Sequence, residues 1–320
     1  MYNDIRLEKG LYNLSGKSFT AALESLDPTS AYIGTELEGL DAYERQLKRF
    51  DIKVGGAGCD RVEKFFSSTE TAVLFPEFVV RSIRKGFDET ILGAVTAVKT
   101  ISESGQYLGC VLSDTAEYES VAQTVQLPTA TITEGTDAIT LEKFGRLINA
   151  SYEAVRRQRL DSFGIMLRSI GMKLAAAVMG EAFTVLKTGT TPITTTSLTY
   201  ADLARLYGSF DCFNMTTVVA SPSVAAAIAA MEEMKEANST TDGRLILPFG
   251  AELVKTSAAD DNTIIGIDKD FALEFITSTD LVLETDKLIE RQLDQITVSV
   301  TCGFRKLTPD AVKALSITAS

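Results

Sequence analysis

The stretch LDSFGIMLRSIGMKLAAAVMGEAFTVLK, residues 160–187, decides how the rest of the chain can fold. Phe163, Leu167, Ile170, Leu174, Ala177 and Val178 recur at steps of three and four, which stacks them on one face of an α-helix. At 1.5 Å per residue such a helix is about 40 Å long, and Gly189 ends it. Gly164, Gly171 and Gly180 lie inside it, where each costs roughly 1 kcal/mol against alanine. Close packing against another backbone is the expected reason for them, ahead of a bending point. A helix of this length requires a partner along its whole extent. Arg168, Lys173 and Glu181 interrupt its apolar run, so the segment is not read as a membrane span of about 20 apolar residues.

Upstream, residues 94–147 are rich in β-branched residues, Ser and Thr, punctuated by Gly105, Gly109, Pro128 and Gly135. This texture predicts a long β-hairpin or ribbon, with Asp114, Glu117 and Glu119 in its first half. It holds too few large apolar residues for a core of its own. Earlier still, a helix over 17–26 stops at Asp27-Pro28. Leu37, Leu40, Tyr43, Leu47 and Phe50 then form an apolar stripe with Arg45, Lys48 and Arg49 outside it. The glycines of residues 55–58 break the chain, and a further helix runs from Phe75 to Phe87 with Pro76 in its first turn. The N-terminal stretch therefore has to dock on the body or on a neighbour.

Downstream of residue 193 helices and strands alternate. Thr199 and Asp202 form a capping box, Val218 to Ala220 a short strand, and Ser221-Pro222 the start of a helix reaching Lys235. Leu253-Val254 and Ile264 to Ile267 are further strands. Ile296, Val298, Val300, Cys302 and Phe304 alternate with polar or small residues as in a half-buried strand. The class is α+β.

The 320 residues carry a net charge of −12, no histidine and four cysteines, Cys59, Cys110, Cys212 and Cys302, far apart in sequence. Without histidine there is no Ser-His-Asp or Cys-His triad and no His-ligated zinc. The cysteines read as reduced, mostly buried thiols. The polar N-terminus has no apolar signal-peptide core, which points to folding in a cytoplasm. Arg156, Arg157 and Arg159 form the one small basic cluster, too little for a phosphate-tracking groove. Gly16-Lys17-Ser18 lacks the glycine a phosphate-binding loop needs at position 11. The acidic pairs Asp260-Asp261 and Glu232-Glu233 read as a solvated turn and a helix face. No catalytic, cofactor or metal site emerges, and an unrecognised enzyme would have to show a deep pocket with convergent polar groups.

The stretch Lys143-Phe144-Gly145-Arg146-Leu147-Ile148-Asn149-Ala150-Ser151-Tyr152-Glu153-Ala154-Val155-Arg156, continued by the long helix, resembles the signature region of tailed-bacteriophage major capsid proteins of the Hong Kong 97 fold. Leu40 to Leu47, Val62 to Phe66 and Ala72 to Glu77 resemble the N-terminal arm of one branch of that family. The resemblance implies an N-arm over residues 1–68 and an E-loop hairpin over 98–144. It implies a peripheral domain with the long spine helix over 69–97, 145–191 and 286–303, and an axial domain over 192–285 and 304–320. It also implies self-assembly as pentamers and hexamers into an icosahedral head that encloses double-stranded DNA without sequence-specific binding. The partners implied are a separate scaffolding protein, a portal protein and, where present, a cement protein, with no cofactor and no membrane. The location implied is the virion capsid, with assembly in the host cytoplasm. Asp114, Glu117 and Glu119 on one side, and Arg156, Arg157 and Arg159 on the other, are candidate contacts between subunits. An encapsulin-like bacterial compartment shell is the alternative with the same fold.

Overall fold

A computed structural model of the chain describes residues 2–13, 18–88, 92–102, 104–113, 120–235, 244–278, 281–288 and 293–318. Asp114, Glu117, Glu119 and the Gly16-Lys17 pair lie outside the described residues. The helices are α1 (Phe19–Leu26), α2 (Ala42–Arg49), α3 (Thr69–Asp88), α4 (Leu92–Val95), α5 (Tyr152–Arg156), α6 (Leu160–Lys187), α7 (Tyr200–Gly208), α8 (Pro222–Ala229) and α9 (Glu232–Lys235). The strands are β1 (Val98–Ile101), β2 (Gln106–Tyr107), β3 (Cys110–Ser113), β4 (Thr131–Glu134), β5 (Ile139–Thr140), β6 (Glu142–Ser151), β7 (Pro192–Thr195) and β8 (Thr217–Ala220). They continue as β9 (Leu245–Ile246), β10 (Glu252–Lys255), β11 (Thr263–Ile267), β12 (Leu273–Thr277), β13 (Val282–Leu288), β14 (Leu293–Lys306) and β15 (Val312–Ile317). Two compact units form: one from residues 1–90, 145–175 and 281–299, the other from 91–144, 176–280 and 300–320.

In the first unit α3 crosses the first half of α6 with almost no space between the backbones. A Cβ on Gly86 would stand 2.0 Å from the Arg168 carbonyl oxygen, and one on Gly171 2.0 Å from that of Ile83. Gly171 thus answers the expectation of close packing. Gly164 and Gly180 meet only ordinary contacts at 3.6 and 3.9 Å. The buried stripe of α6 runs Leu160, Phe163, Leu167, Gly171, Leu174, Val178, Ala182 and Leu186. Ile170 is half-buried and Ala177 faces outward, because four-residue steps carry the stripe away from them. By length and composition alone α6 could cross a membrane, with a window of mean hydropathy 1.4. Its stripe is instead spent on packing, and Arg168 and Lys173 stand on the exposed side.

Helix α3 begins at Thr69, earlier than the sequence predicts. Ser68 starts it: its Oγ accepts from the Thr71 N–H at 3.1 Å, and its own N–H donates to Thr71 Oγ1 at 3.0 Å. Pro76 therefore sits in the helix interior, where it donates nothing and crowds the preceding turn. The ladder is mended by a side chain. Tyr12 Oη donates to the Val73 carbonyl at 2.8 Å and accepts from the Glu77 N–H at 3.1 Å, standing between two groups that would otherwise bond each other. Tyr12 stacks on Phe19, and burial, then the Glu77 charge, raises its phenol well above the usual tyrosine range. It remains a neutral donor. Around it Thr20 Oγ1 donates to Glu77 at 2.5 Å, and Arg81 joins Glu77 at 3.0 Å to Asp41 at 2.6 Å.

The N-terminal segment thus docks on its own chain. Arg45, expected on the solvent side of α2, is fully buried. Its Nε donates to Asp27 Oδ2 at 2.6 Å and its Nη1 to the Leu40 carbonyl at 2.6 Å. Nη2 donates to the Asp27 carbonyl at 2.5 Å, and the guanidinium lies over the Tyr32 ring. A planar fork with this many acceptors can be buried because its donors are satisfied.

In the second unit six strands order as β7-β15-β11-β8-β10-β9. Leu203, Leu206, Val218, Val224, Ile228, Met234, Ile264 and Leu315 share its core. The helix predicted to run to Lys235 breaks into α8 and α9. Ile228 and Met234, six residues apart, would point roughly 120° apart on one continuous helix, and the break lets both reach the core. The strand path β1-β12-β14-β13, with β6 also on β14, divides between the units: β1, β12 and the end of β14 belong to the second, β13 and the start of β14 to the first. The first half of β14 pairs with β13 and its second half with β12.

Two outcomes follow from this packing. Leu174→Ala is expected to destabilise by about 2–5 kcal/mol and Lys173→Ala by less than about 0.5 kcal/mol, read from denaturant unfolding; equal effects would misplace the stripe. Tyr12→Phe is expected to cost about 1–3 kcal/mol by stranding polar groups of α3, with faster hydrogen exchange at the Glu77 amide. An unchanged amide would show that the helix closes its ladder without Tyr12.

Candidate interaction surfaces

The ribbon predicted from composition is built as two short antiparallel pairs, β2 with β5 and β3 with β4. All four residues of β3 and all four of β4 are exposed. Val111, Leu112 and Ile132 therefore show their side chains to solvent, and Val125 and Leu127 are exposed between them. Exposed apolar residues concentrated on one element mark an interaction surface. The root of the ribbon is built differently. Glu274, buried on β12, accepts from Thr100 Oγ1 at 2.6 Å and from Tyr107 Oη at 3.0 Å. Arg305 Nη1 on β14 stands 3.6 Å from the same carboxylate, and its Nη2 donates to the Cys110 carbonyl. Burial and the bond to Glu274 raise the Tyr107 phenol. Nothing local in sequence marks this group, since Tyr107 and Glu274 are 167 residues apart.

The basic cluster lies in the first unit, on the turn between α5 and α6. The segment 60–62 straps this turn: Leu160 N–H donates to the Asp60 carbonyl at 2.9 Å and Val62 N–H to the Gln158 carbonyl at 2.9 Å. Arg61 pairs with Arg159 in a β-bridge and adds a fourth exposed guanidinium to the surface. Arg156 lies over the Phe66 ring at 5.0 Å, and Arg157 is exposed at the C-cap of α5. Arg159 is engaged within the chain, its Nη2 donating to Asp161 Oδ2 at 2.6 Å. That bond holds the Asp161 carboxyl below the usual carboxylate range and raises Arg159. The structure thus brings the three arginines together, while their proposed acidic partners lie outside the described residues.

The remaining candidates resolve into ordinary structure. Cys302 is buried, its thiol pushed up to about 12 by burial and by the charges of Glu181 and Glu142. Cys59 is half-buried; Cys110 and Cys212 are exposed, which corrects the expectation of mostly buried thiols. Asp260 pairs with Lys187 and Asp261 accepts from Ser223. Among the described residues no group of His, Cys, Asp or Glu is arranged to hold a metal ion. An open depression of about 430 Å³ is lined by Cys59, Asp60, Arg61, Glu63, Lys64 and Ser67. A smaller one, about 190 Å³, has Phe78, Leu160 and Gly164 among its walls.

Comparison with known proteins bears on what these surfaces serve. A family model described as phage capsid protein matches residues 134–297, just over half of the chain. Comparison with curated proteins finds no match. Among solved structures, the virus-like particle from Pyrococcus furiosus aligns over 75% of this chain and 96% of its own, at 13% identity and a TM-score of 0.52. The capsid of an empty GTA particle, computed with C5 symmetry, aligns over 71% and 89%, at 15% identity and a TM-score of 0.54. The holo-SrpI encapsulin complex of Synechococcus elongatus PCC 7942 aligns over 69% and 84%, at 13% identity and a TM-score of 0.52. At these identities the likeness is one of fold, the Hong Kong 97-type fold of phage capsids.

Proposed function

We propose the following role for this chain, which belongs to the phage capsid protein family: it is the major capsid protein, closing as pentamers and hexamers into an icosahedral head around double-stranded DNA. As a member of that family it is a structural protein of the virion shell. The observation that carries the finer reading is the ribbon, which leaves Val111, Leu112 and Ile132 exposed among the described residues. An apolar ribbon of this kind finds cover in oligomer contacts, which in closed shells repeat by symmetry. On this reading the ribbon, residues 98–144, is the E-loop, α6 is the spine helix, residues 1–68 are the arm, and 192–285 with 304–320 form the axial domain. The arm docks largely on α3 of its own chain, so the ribbon is left as the main element seeking a neighbour.

A separate scaffolding protein, a portal protein and, in some heads, a cement protein complete the set of partners, with assembly in the host cytoplasm. A net charge of −12 suits a lining that repels the DNA it holds. The encapsulin fold match supports a compartment shell as the second reading; the family match favours the phage head. Asp114, Glu117 and Glu119 meet Arg156, Arg157 and Arg159 of a neighbouring subunit, with Arg159 exchanging its Asp161 partner.

Co-expression with a phage scaffolding protein, followed by sedimentation and electron microscopy, is expected to give hollow shells. A well-behaved monomer under all conditions would overturn the reading, and shells loaded with a protein cargo would favour the compartment. Reversing Glu117 and Glu119 to Lys is expected to slow assembly and change its salt dependence while leaving subunit folding intact, since rim charges act on association rate. Unchanged kinetics at low salt would remove the proposed pairing.

A further inference from the structure

The chain leaves the sheet for the ribbon at a corner, and two side chains span that corner. Thr100 belongs to β1, which lies parallel on β12; Tyr107 already belongs to the ribbon strand β2. One carboxylate, Glu274, accepts from both. Arg305 reaches from the next strand, β14, to that carboxylate and to the Cys110 carbonyl at the start of β3. The side chains of Glu274 and Arg305 are 6% and 16% exposed, so both charges are largely removed from water. Gly109 makes the reach possible: a Cβ there would stand 1.2 Å from Arg305 Nη1. The bonds of Gly135 N–H to the Gly109 carbonyl and of Leu141 N–H to the Gly105 carbonyl hold the ribbon strands to each other. The Glu274–Arg305 group instead holds the ribbon to the sheet.

We propose that Glu274 and Arg305 are positioning residues that fix the direction in which the ribbon leaves the sheet, and so the contact it makes with a second copy of the chain. The second clause rests on the shell-subunit reading above. Charges that are buried and paired can hold a geometry more stringently than they stabilise it, and here they act beside the pairing of β1 with β12 and of β6 with β14 at the two ends of the ribbon. A guanidinium fork serves two acceptors on different strands at once, which a lysine cannot match.

The test uses the full chain and three substitutions of increasing severity. Tyr107→Phe removes the ribbon's hydroxyl and leaves the ion pair. Gly109→Ala displaces the end of the Arg305 side chain without straining the backbone. Glu274→Gln removes the charge. Hydrogen exchange of the unassembled protein is expected to be at least tenfold faster at the Ser102 and Gly135 amides in Gly109→Ala and Glu274→Gln, and intermediate in Tyr107→Phe. The amides of Val219 and Ile265 in the six-stranded sheet should keep their rates, showing that the fold is intact. Shells from the variants are expected to be irregular in diameter where the wild type is uniform. Unchanged exchange in all three variants would overturn the clamp, and loosened ribbons that still give uniform shells would overturn its positioning role. A wild type that forms no shells, with exchange responding as expected, would instead sink the shell reading and leave the clamp standing.

Discussion

The first unit depends on one constraint: two helices whose backbones touch. Gly86 and Gly171 bring α3 and α6 within carbonyl contact, a distance any side chain at either position would prohibit. Everything packed on α3 inherits its position from that crossing. The aromatic group of Phe65, Phe75, Phe78 and Phe163 fills the space beside it. The Tyr12, Thr20, Asp41 and Arg81 contacts then hang the N-terminal segment on its other side. Glycine costs a helix stability in isolation, and here the cost is offset by dispersion contacts along two long, closely apposed surfaces.

The molecule divides its polar groups between two tasks. In the N-terminal segment, Arg45 with Asp27 and Arg81 with Glu77 and Asp41 tie α1 and α2 to each other and to α3. At the root of the ribbon, Glu274 and Arg305 tie an element with no core to a sheet that has one. In both places a buried guanidinium is surrounded by acceptors from several segments, which specifies a geometry as well as binding it. The described strands of the ribbon leave Val111, Leu112 and Ile132 exposed, the reverse of how a lone monomer manages strand edges.

Signals that are local in sequence were legible. The bounds of α6 agree with its periodicity, the Thr199–Asp202 capping box is present, and the period of two placed the strand within Leu293–Lys306. The α+β class and the family resemblance were likewise readable. What was missed depends on contacts distant in sequence. Arg45 falls on the polar side of a helical wheel, and only the return of Asp27 beneath it makes burial favourable. Pro76 looks like a helix start until Tyr12 is seen to stand in the opened ladder. Of the candidate contacts, the three arginines and their clustering could be read. The involvement of Arg61, which bridges to Arg159 across 98 residues, and the whole Glu274–Arg305 group, whose contacts join residues 31 to 195 apart, could not, because they join segments distant in sequence.

The hydroxyl in the ladder of α3 has a bearing on the order of events during synthesis. Tyr12 precedes Pro76 along the chain, so the group that completes the helix has left the ribosome before the defect it repairs. The crossing partner of α3 has not: Gly171 follows Gly86 by more than eighty residues. At translation rates of about 5–20 residues per second, α3 waits several seconds for α6, while the preceding segment is already available to hold it. The N-terminal segment can thus serve as an early template in the nascent chain, keeping an apolar helix closed and covered until its long-range partner emerges.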